Sequence, residues 1–291
     1  MNTRHLSLAY RHVDVFSNTP FSGNSLTVFP ESDDLPPQLM QRITQEMRQF
    51  ESIFLRLQPP SLLVNASIFT IEEELDFAGH PVLGAACVLH EQLAQTSQQA
   101  AWQFQLKAGI IPVTTRRQEG WYTATMDQGT PIFGPIASPA LQQQVLNALN
   151  LSTSDLYDDL PMQMVSTGLP YLLIMLKSSL EKAQITHPNF EGLLEQIGAK
   201  FVYVFHPPTM EGRTWDNMGR VEDIATGSAA GPTGAYLVRY GKAQPETDIM
   251  LHQGSFVGRP SHITGTSQAI ASVQVSGNVT MVAHGVIDVY I

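Results

Sequence analysis

Glu51 opens the run Glu51 to Leu57, whose strand-like alternation groups it with Ile53, Leu55 and Leu57 on one face and leaves Ser52, Phe54 and Arg56 on the other. A carboxylate on an apolar face is unusual. Burial disfavours the charged form of a carboxyl group, so a group placed this way can both take and return a proton near neutrality. The plainer explanation is a strand-end glutamate turned to water beside Gln49. His80 is open to three roles: general acid, hydrogen-bond donor to a substrate, or metal ligand, with helix capping or packing as the structural alternative. Metal ligation is disfavoured, because the nine histidines form no His-x-x-x-His pair and no Cys/His cluster. Asp223 stands just before Thr226-Gly227-Ser228. There an acid can complement a helix dipole, or it can orient an imidazole if the fold brings His80 close.

Two helix starts surround these residues. Ala78-Gly79-His80-Pro81 leads into the small-residue segment Val82 to Leu89, and Thr226-Gly227-Ser228 leads into Ala229, Ala230, Gly231, Gly234 and Ala235. A helix N-terminus exposes unpaired N–H groups and roughly half a positive charge, so it can hold a carboxylate or phosphate without lysine or arginine. Glycine at 79 and 227 would let a ligand approach the backbone closely. Ordinary capping by Thr226 or Ser228 is the competing explanation.

The bulk properties make such local donors necessary for an acidic substrate. The chain carries 16 Lys+Arg against 26 Asp+Glu, a formal charge of -10, which repels anions at long range and disfavours nucleic acid and anionic membrane surfaces as partners. With 43% hydrophobic and only 14% charged residues in 291, it can bury one or two sizeable cores. Cys87 is the only cysteine, which excludes an intramolecular disulfide and any two-thiol mechanism and fits a reducing cytoplasm. The N-terminal residues lack the apolar run of a signal peptide, and no stretch reaches the ~18 to 20 apolar residues of a membrane span. Dinucleotide, phosphate-loop and nucleophile-elbow glycine motifs are absent from the sequence.

The elements that must position the candidate residues read as strands over Leu6 to Phe16, Leu26 to Phe29, Glu51 to Leu57 and Ser67 to Leu75, with a helix from Gln38 to Met47 introduced by Asp34 and Pro36-Pro37. Two or three further strands lie within Trp102 to Met126. Gly129 to Pro139 reads as a Pro/Gly-rich connection and the domain boundary, dividing the chain into halves at 1–130 and 131–291. The second half reads as a helix from Leu141 to Leu149, a strand from Met162 to Leu176, helices around Leu180 to Ala183 and Phe190 to Ile197, a strand at Phe201 to Phe205, the second glycine-led helix, and strands to the end. The recurrence of a glycine-led, small-residue helix between strand-rich stretches implies two similar halves. Small residues around most of a helix are expected where strands approach it from several sides.

In order and spacing, five segments resemble the phenazine-biosynthesis (PhzF-like) isomerase family: Asp14-Val15-Phe16 with Gly23-Asn24, Glu51 to Leu55, Phe77 to Gly84, Glu222 to Gly231, and Gly258-Arg259-Pro260-Ser261. The resemblance implies an α+β, diaminopimelate epimerase-like fold, with two pseudo-symmetric halves that each wrap strands around a central helix. The last strand, near 284–291, would cross back to the first half, and the active site would lie where the two helix starts meet. It further implies an isomerase moving a proton between carbons of a small cyclic carboxylic acid, with Glu51 as acid/base. His80 and Asp223 would complete the catalytic set, and Gly79, Gly227 and Ser228 would bind substrate. No cofactor or metal is expected, and a cytoplasmic homodimer is. Epimerases of this fold use two cysteines at the helix starts, and none stands there in this chain. An epimerase or racemase on the same scaffold, or a non-catalytic metabolite-binding protein, are the alternatives. Ile224 and Ser25, where the family usually has proline, and Asp76, where an apolar residue or proline is common, bear on substrate choice rather than on proton transfer.

Overall fold

The structure is a computed structural model, described for residues 5–33, 35–57, 63–268 and 272–290; Asp34, expected at the first helix start, and Ile291, at the end of the last strand, lie outside the described residues. The chain forms two compact units, residues 1–127 with 276–291, and residues 128–275.

In the first unit the order is β1 (His5–Val15), β2 (Asn24–Phe29), α1 (Pro37–Met47), β3 (Glu51–Leu57), β4 (Leu63–Thr70), β5 (Glu74–Leu75), α2 (Gly79–Leu93), β6 (Gln99–Leu106), β7 (Gly109–Arg117) and β8 (Tyr122–Asp127). Hydrogen bonding runs β1-β2-β3-β4-β6-β7-β8, and the last strand, residues 272–290, pairs with both β8 and β1 and so closes the ring. Its register on β1 is antiparallel, from His5↔Tyr290 to Val15↔Val279. Helix α2 lies inside this ring, buried from Gly79 to His90. Strands touch it on several sides, which explains why its residues are small and apolar all round. Gly84 shows how close they come, since a Cβ there would sit 2.5 Å from a Leu26 methyl and 3.0 Å from one of Val15.

Strand β3 is covered on both faces. Phe54 stacks on Phe29 at 4.7 Å and meets Phe69 edge-on, in a cluster with Leu8, Met40 and Ile43 under α1. Ser52, Ile53, Phe54 and Leu55 are all fully buried. Glu51 therefore enters the unit on a strand with no solvated face, held in register opposite Leu26 of β2 and Thr70 of β4.

The second unit contains β9 (Ile132–Ile136), α3 (Pro139–Ala148), β10 (Gln163–Ser166), β11 (Pro170–Met175), α4 (Phe190–Glu195), β12 (Phe201–His206), β13 (Glu211–Arg213), α5 (Gly227–Arg239), β14 (Asp248–Gln253), β15 (Ser261–Gln268) and the beginning of β16 (Ser272–Tyr290). Its strand order is β16-β15-β14-β13-β12-β11-β10-β9. Helices α3 and α4 pack their leucines and Phe190 on one side of this sheet, while α5 packs against β10, β11 and β15.

Three local differences from the sequence expectation have simple causes. The Gly129 to Pro139 stretch holds strand β9 rather than only a connection, because an edge strand tolerates Pro135 and because the missing side chain of Gly134 leaves room for the Met164 thioether. The single strand expected from Met162 to Leu176 is a hairpin, β10 and β11, turned at Thr167 and Gly168, whose φ is +134°. Leu180–Lys182 is one 3₁₀ turn, too short for a helix.

Candidate active site

At the start of α2, the N-cap residue Ala78 offers no side-chain cap, and the first turn holds no acid. The first N–H groups of the helix therefore point out of it without a side-chain partner from the cap. His80, in that first turn, places its Nε2 3.1 Å from Oε2 of Glu51. The side chains of His80 and Glu51 are only 7% and 15% exposed, so the contact is sheltered from bulk water while the carboxylate stays within reach of a ligand. At this distance the two atoms are close enough for an ion pair, yet the angle is too bent for a hydrogen bond, and both count as buried polar atoms with no hydrogen-bond partner among the described residues. Leaving buried hydrogen-bonding capacity unspent costs free energy, on the order of 1–3 kcal/mol per group. A site that keeps it unspent at a carboxylate and an imidazole can spend it on a ligand.

The start of α5 is arranged differently. Thr226, at the N-cap, gives its hydroxyl not to its own helix but to Asp223, with Oγ1 2.5 Å from Oδ2. Gln253, at the end of β14, is 1% exposed and uses all its capacity locally. Its Oε1 accepts from the Thr226 N–H at 3.2 Å and from the Tyr203 hydroxyl at 3.2 Å. Its Nε2 donates to the Asp223 carbonyl at 2.8 Å and to Thr226 Oγ1 at 2.9 Å. Ser228 pairs its hydroxyl with that of Tyr171 at 2.8 Å. The Gly227 carbonyl accepts from Gln128 Nε2 at 3.1 Å, and the Gln128 oxygen in turn accepts from Thr167 at 2.9 Å.

Of the residues singled out in the sequence, Glu51, Gly79 and His80 meet in the first unit, and Asp223, Gly227 and Ser228 gather at one helix start in the second. Gln253, Tyr171 and Gln128 were missed. Gln253 lies in a strand with no unusual neighbours, and its meaning comes only from sheet register; the sole sequence signal was its position just before Gly254, ahead of the Gly258 to Ser261 segment. Cys87 lies about two turns into α2, fully buried, and burial pushes its thiol well above the ordinary range, which makes it a packing residue rather than a nucleophile. Among the described residues, no group of three or more His, Cys, Asp or Glu side chains is arranged to hold a metal ion, and no helix is long and apolar enough to cross a membrane.

The sequence matches the profile of the family described as phenazine biosynthesis-like protein over residues 13–285. This chain belongs to that family. It is an isomerase, as are the relatives that carry a functional name. A trans-2,3-dihydro-3-hydroxyanthranilate isomerase of Pseudomonas fluorescens is 33% identical, across 96% of this chain and 98% of its own length. Among solved structures, one described as a predicted epimerase from Pseudomonas aeruginosa superimposes with a TM-score of 0.91 at 41% identity, covering 96% of this chain and 99% of the other. A hydroxyproline epimerase of Agrobacterium vitis, solved with trans-4-hydroxy-L-proline, shares the fold at a TM-score of 0.60 and 12% identity, covering 99% and 92%. The fold is thus α+β and diaminopimelate epimerase-like.

Proposed function

We propose that this PhzF-like isomerase moves a proton between two carbons of a small cyclic carboxylic acid, with Glu51 taking the proton from one carbon and returning it, or its solvent-exchanged equivalent, to the other. The observation that carries this reading is the Glu51–His80 pair, a sheltered carboxylate and imidazole 3.1 Å apart whose facing atoms have no hydrogen-bond partner among the described residues. A carboxylate placed there can take a proton from one carbon, exchange it with water through its exposed edge, and deliver its equivalent to another. His80 and the N–H groups at the start of α2 hold the substrate beside it, and Gly227 and Ser228 at the start of α5 are substrate-binding residues in the same reading. Asp223, held by Thr226, completes the set. The name of the Pseudomonas fluorescens relative adds the substrate class, a dihydro-hydroxyanthranilate, which is both cyclic and a carboxylic acid.

The proposed route uses only side chains and backbone N–H groups of this chain, without cofactor or metal, and the formal charge of -10 fits a cytoplasmic enzyme without nucleic-acid or membrane partners. A homodimer is the assembly we propose, and light scattering tests it. For the activity itself, trans-2,3-dihydro-3-hydroxyanthranilate and a panel of cyclic and amino acids are incubated with the enzyme in D2O and followed by NMR. Migration of a ring double bond with solvent deuterium at a new carbon position is the expected result. Exchange at one stereocentre with no double-bond movement would replace the reading with epimerisation, and binding without any carbon-bound exchange would replace it with a metabolite-binding role.

A further inference from the structure

The segment Asp223 to Thr226 carries one member of the proposed site, and it is gripped from one side by the end of β14 and the start of β15. Gln253 bonds the Asp223 carbonyl, the Thr226 N–H and the Thr226 hydroxyl. Gly254 lies so close that a Cβ would meet the Ile224 carbonyl at 2.6 Å and the Arg259 carbonyl at 2.3 Å, in a conformation with φ of +85° that already favours glycine. Ser261 reaches the Arg259 carbonyl at 3.1 Å and the Ile224 carbonyl at 3.4 Å. The Gly258 to Ser261 segment, conspicuous in the sequence yet bearing no catalytic group, thus helps to hold the approach to α5.

The direction of these bonds matters. An amide –NH2 can only donate, so the Thr226 oxygen must accept from Gln253 Nε2. With that lone pair taken, the hydroxyl proton is free to point at its other neighbour, Asp223 Oδ2, 2.5 Å away. The Thr226 N–H, which can only donate to Gln253 Oε1, and the Asp223 carbonyl, which can only accept from Nε2, fix the amide orientation, so the Tyr203 hydroxyl donates to Oε1 and Nε2 faces Thr226. The relay Tyr203 to Gln253 to Thr226 to Asp223 has one consistent set of proton positions, and it ends on a carboxylate. We infer that Gln253, acting through Thr226, is a positioning residue that fixes the Asp223 carboxylate for the isomerase reaction. The inference rests on the assignment of Asp223 to the site.

The test uses Thr226→Val, Thr226→Ser, Gln253→Glu and Asp223→Asn, with Thr226→Val also made in the Asp223→Asn background. Turnover of trans-2,3-dihydro-3-hydroxyanthranilate, melting temperature and crystal structures are measured for each. Thr226→Val, and Gln253→Glu, whose carboxylate can no longer donate, should lower kcat on the order of 10- to 100-fold, as displacements near 1 Å do in catalytic groups, with KM changed much less. Thr226→Ser should restore most of the rate. In the Asp223→Asn background, Thr226→Val should cost almost nothing more. Full, independent cost in that background would overturn the positioning role while leaving Asp223 in the site. Wild-type turnover by Asp223→Asn would instead remove Asp223 from the site and take the inference with it. An Asp223 carboxylate unmoved in the Thr226→Val and Gln253→Glu crystal structures would overturn the relay whatever the rates.

Discussion

The two glycine-led helices, α2 and α5, begin alike and are furnished in opposite ways. Both start at a glycine, and neither has a side-chain cap. At α2 the proposed catalytic pair, Glu51 and His80, faces itself through Oε2 and Nε2, which have no hydrogen-bond partner among the described residues. At α5 the neighbouring polar groups of Gln253, Thr226 and Asp223 are bonded to one another. On the proposed function, the groups that change protonation are the ones kept available, and the groups that stay still are the ones tied down. The difference separates a reactive start from a rigid one, and substitutions at each should fail in different ways.

The largest effect is expected at the reactive start. Glu51→Gln keeps the size and much of the hydrogen-bonding shape of the side chain but cannot carry a proton, so kcat should fall by ~10²- to 10⁴-fold, towards the upper end for a group that both takes and returns the proton. Melting temperature and ligand affinity on the same samples should stay near wild type. His80→Ala removes a buried imidazole beside that carboxylate, so KM should rise and kcat fall together, as steady-state kinetics would record. If His80→Ala left KM unchanged, His80 would belong to the chemistry alone.

Smaller effects test the helices themselves. Gly84→Ala puts a methyl against Leu26, Val13 and Val15. The crowding, typically about 1–3 kcal/mol, should outweigh a helix-propensity gain of about 1 kcal/mol, so chemical denaturation should show lower stability. Gly234→Ala in α5 meets only an Ile249 methyl at 3.8 Å, which is ordinary contact. Stability there should rise by about 0.5–1 kcal/mol, with no change in rate. Equal effects at the two glycines would show that the strands do not press α2 harder than α5. The smallest change is expected for Cys87→Ser, which should retain wild-type kcat because no thiol takes part. Native protein should also resist alkylation, since the thiol is fully buried and its pKa is raised.

Much of this was readable from the chain because its signals are local. Glu51 stands on a strand whose alternation marks it as misplaced, and Gly79-His80 and Gly227-Ser228 sit at helix starts flagged by consecutive small residues. The all-round apolar character of Val82 to Leu89 announced a helix inside strands. What stayed hidden depends on register and reach. Gln253 touches Asp223 and Thr226 only because β14 ends beside them, and Tyr171 finds Ser228 only because β11 packs against α5. Strand β9 was masked by Gly134 and Pro135, residues that an edge position tolerates and a propensity argument counts as breakers. Burial of both faces of β3 was likewise invisible, since alternation shows that Phe54 and Glu51 part company but not that α1 covers the Phe54 side.

The central claim is that one carboxyl group, Glu51, removes the proton from one carbon and delivers its solvent-exchanged equivalent to the other. Its most direct test is a turnover of trans-2,3-dihydro-3-hydroxyanthranilate in D2O, comparing wild type with Glu51→Gln and reading deuterium at the newly protonated carbon by NMR. The account predicts solvent deuterium at that carbon with the wild type and none, on the same timescale, with the variant. Incorporation by Glu51→Gln within tenfold of the wild-type rate would contradict it and show that another group moves the proton.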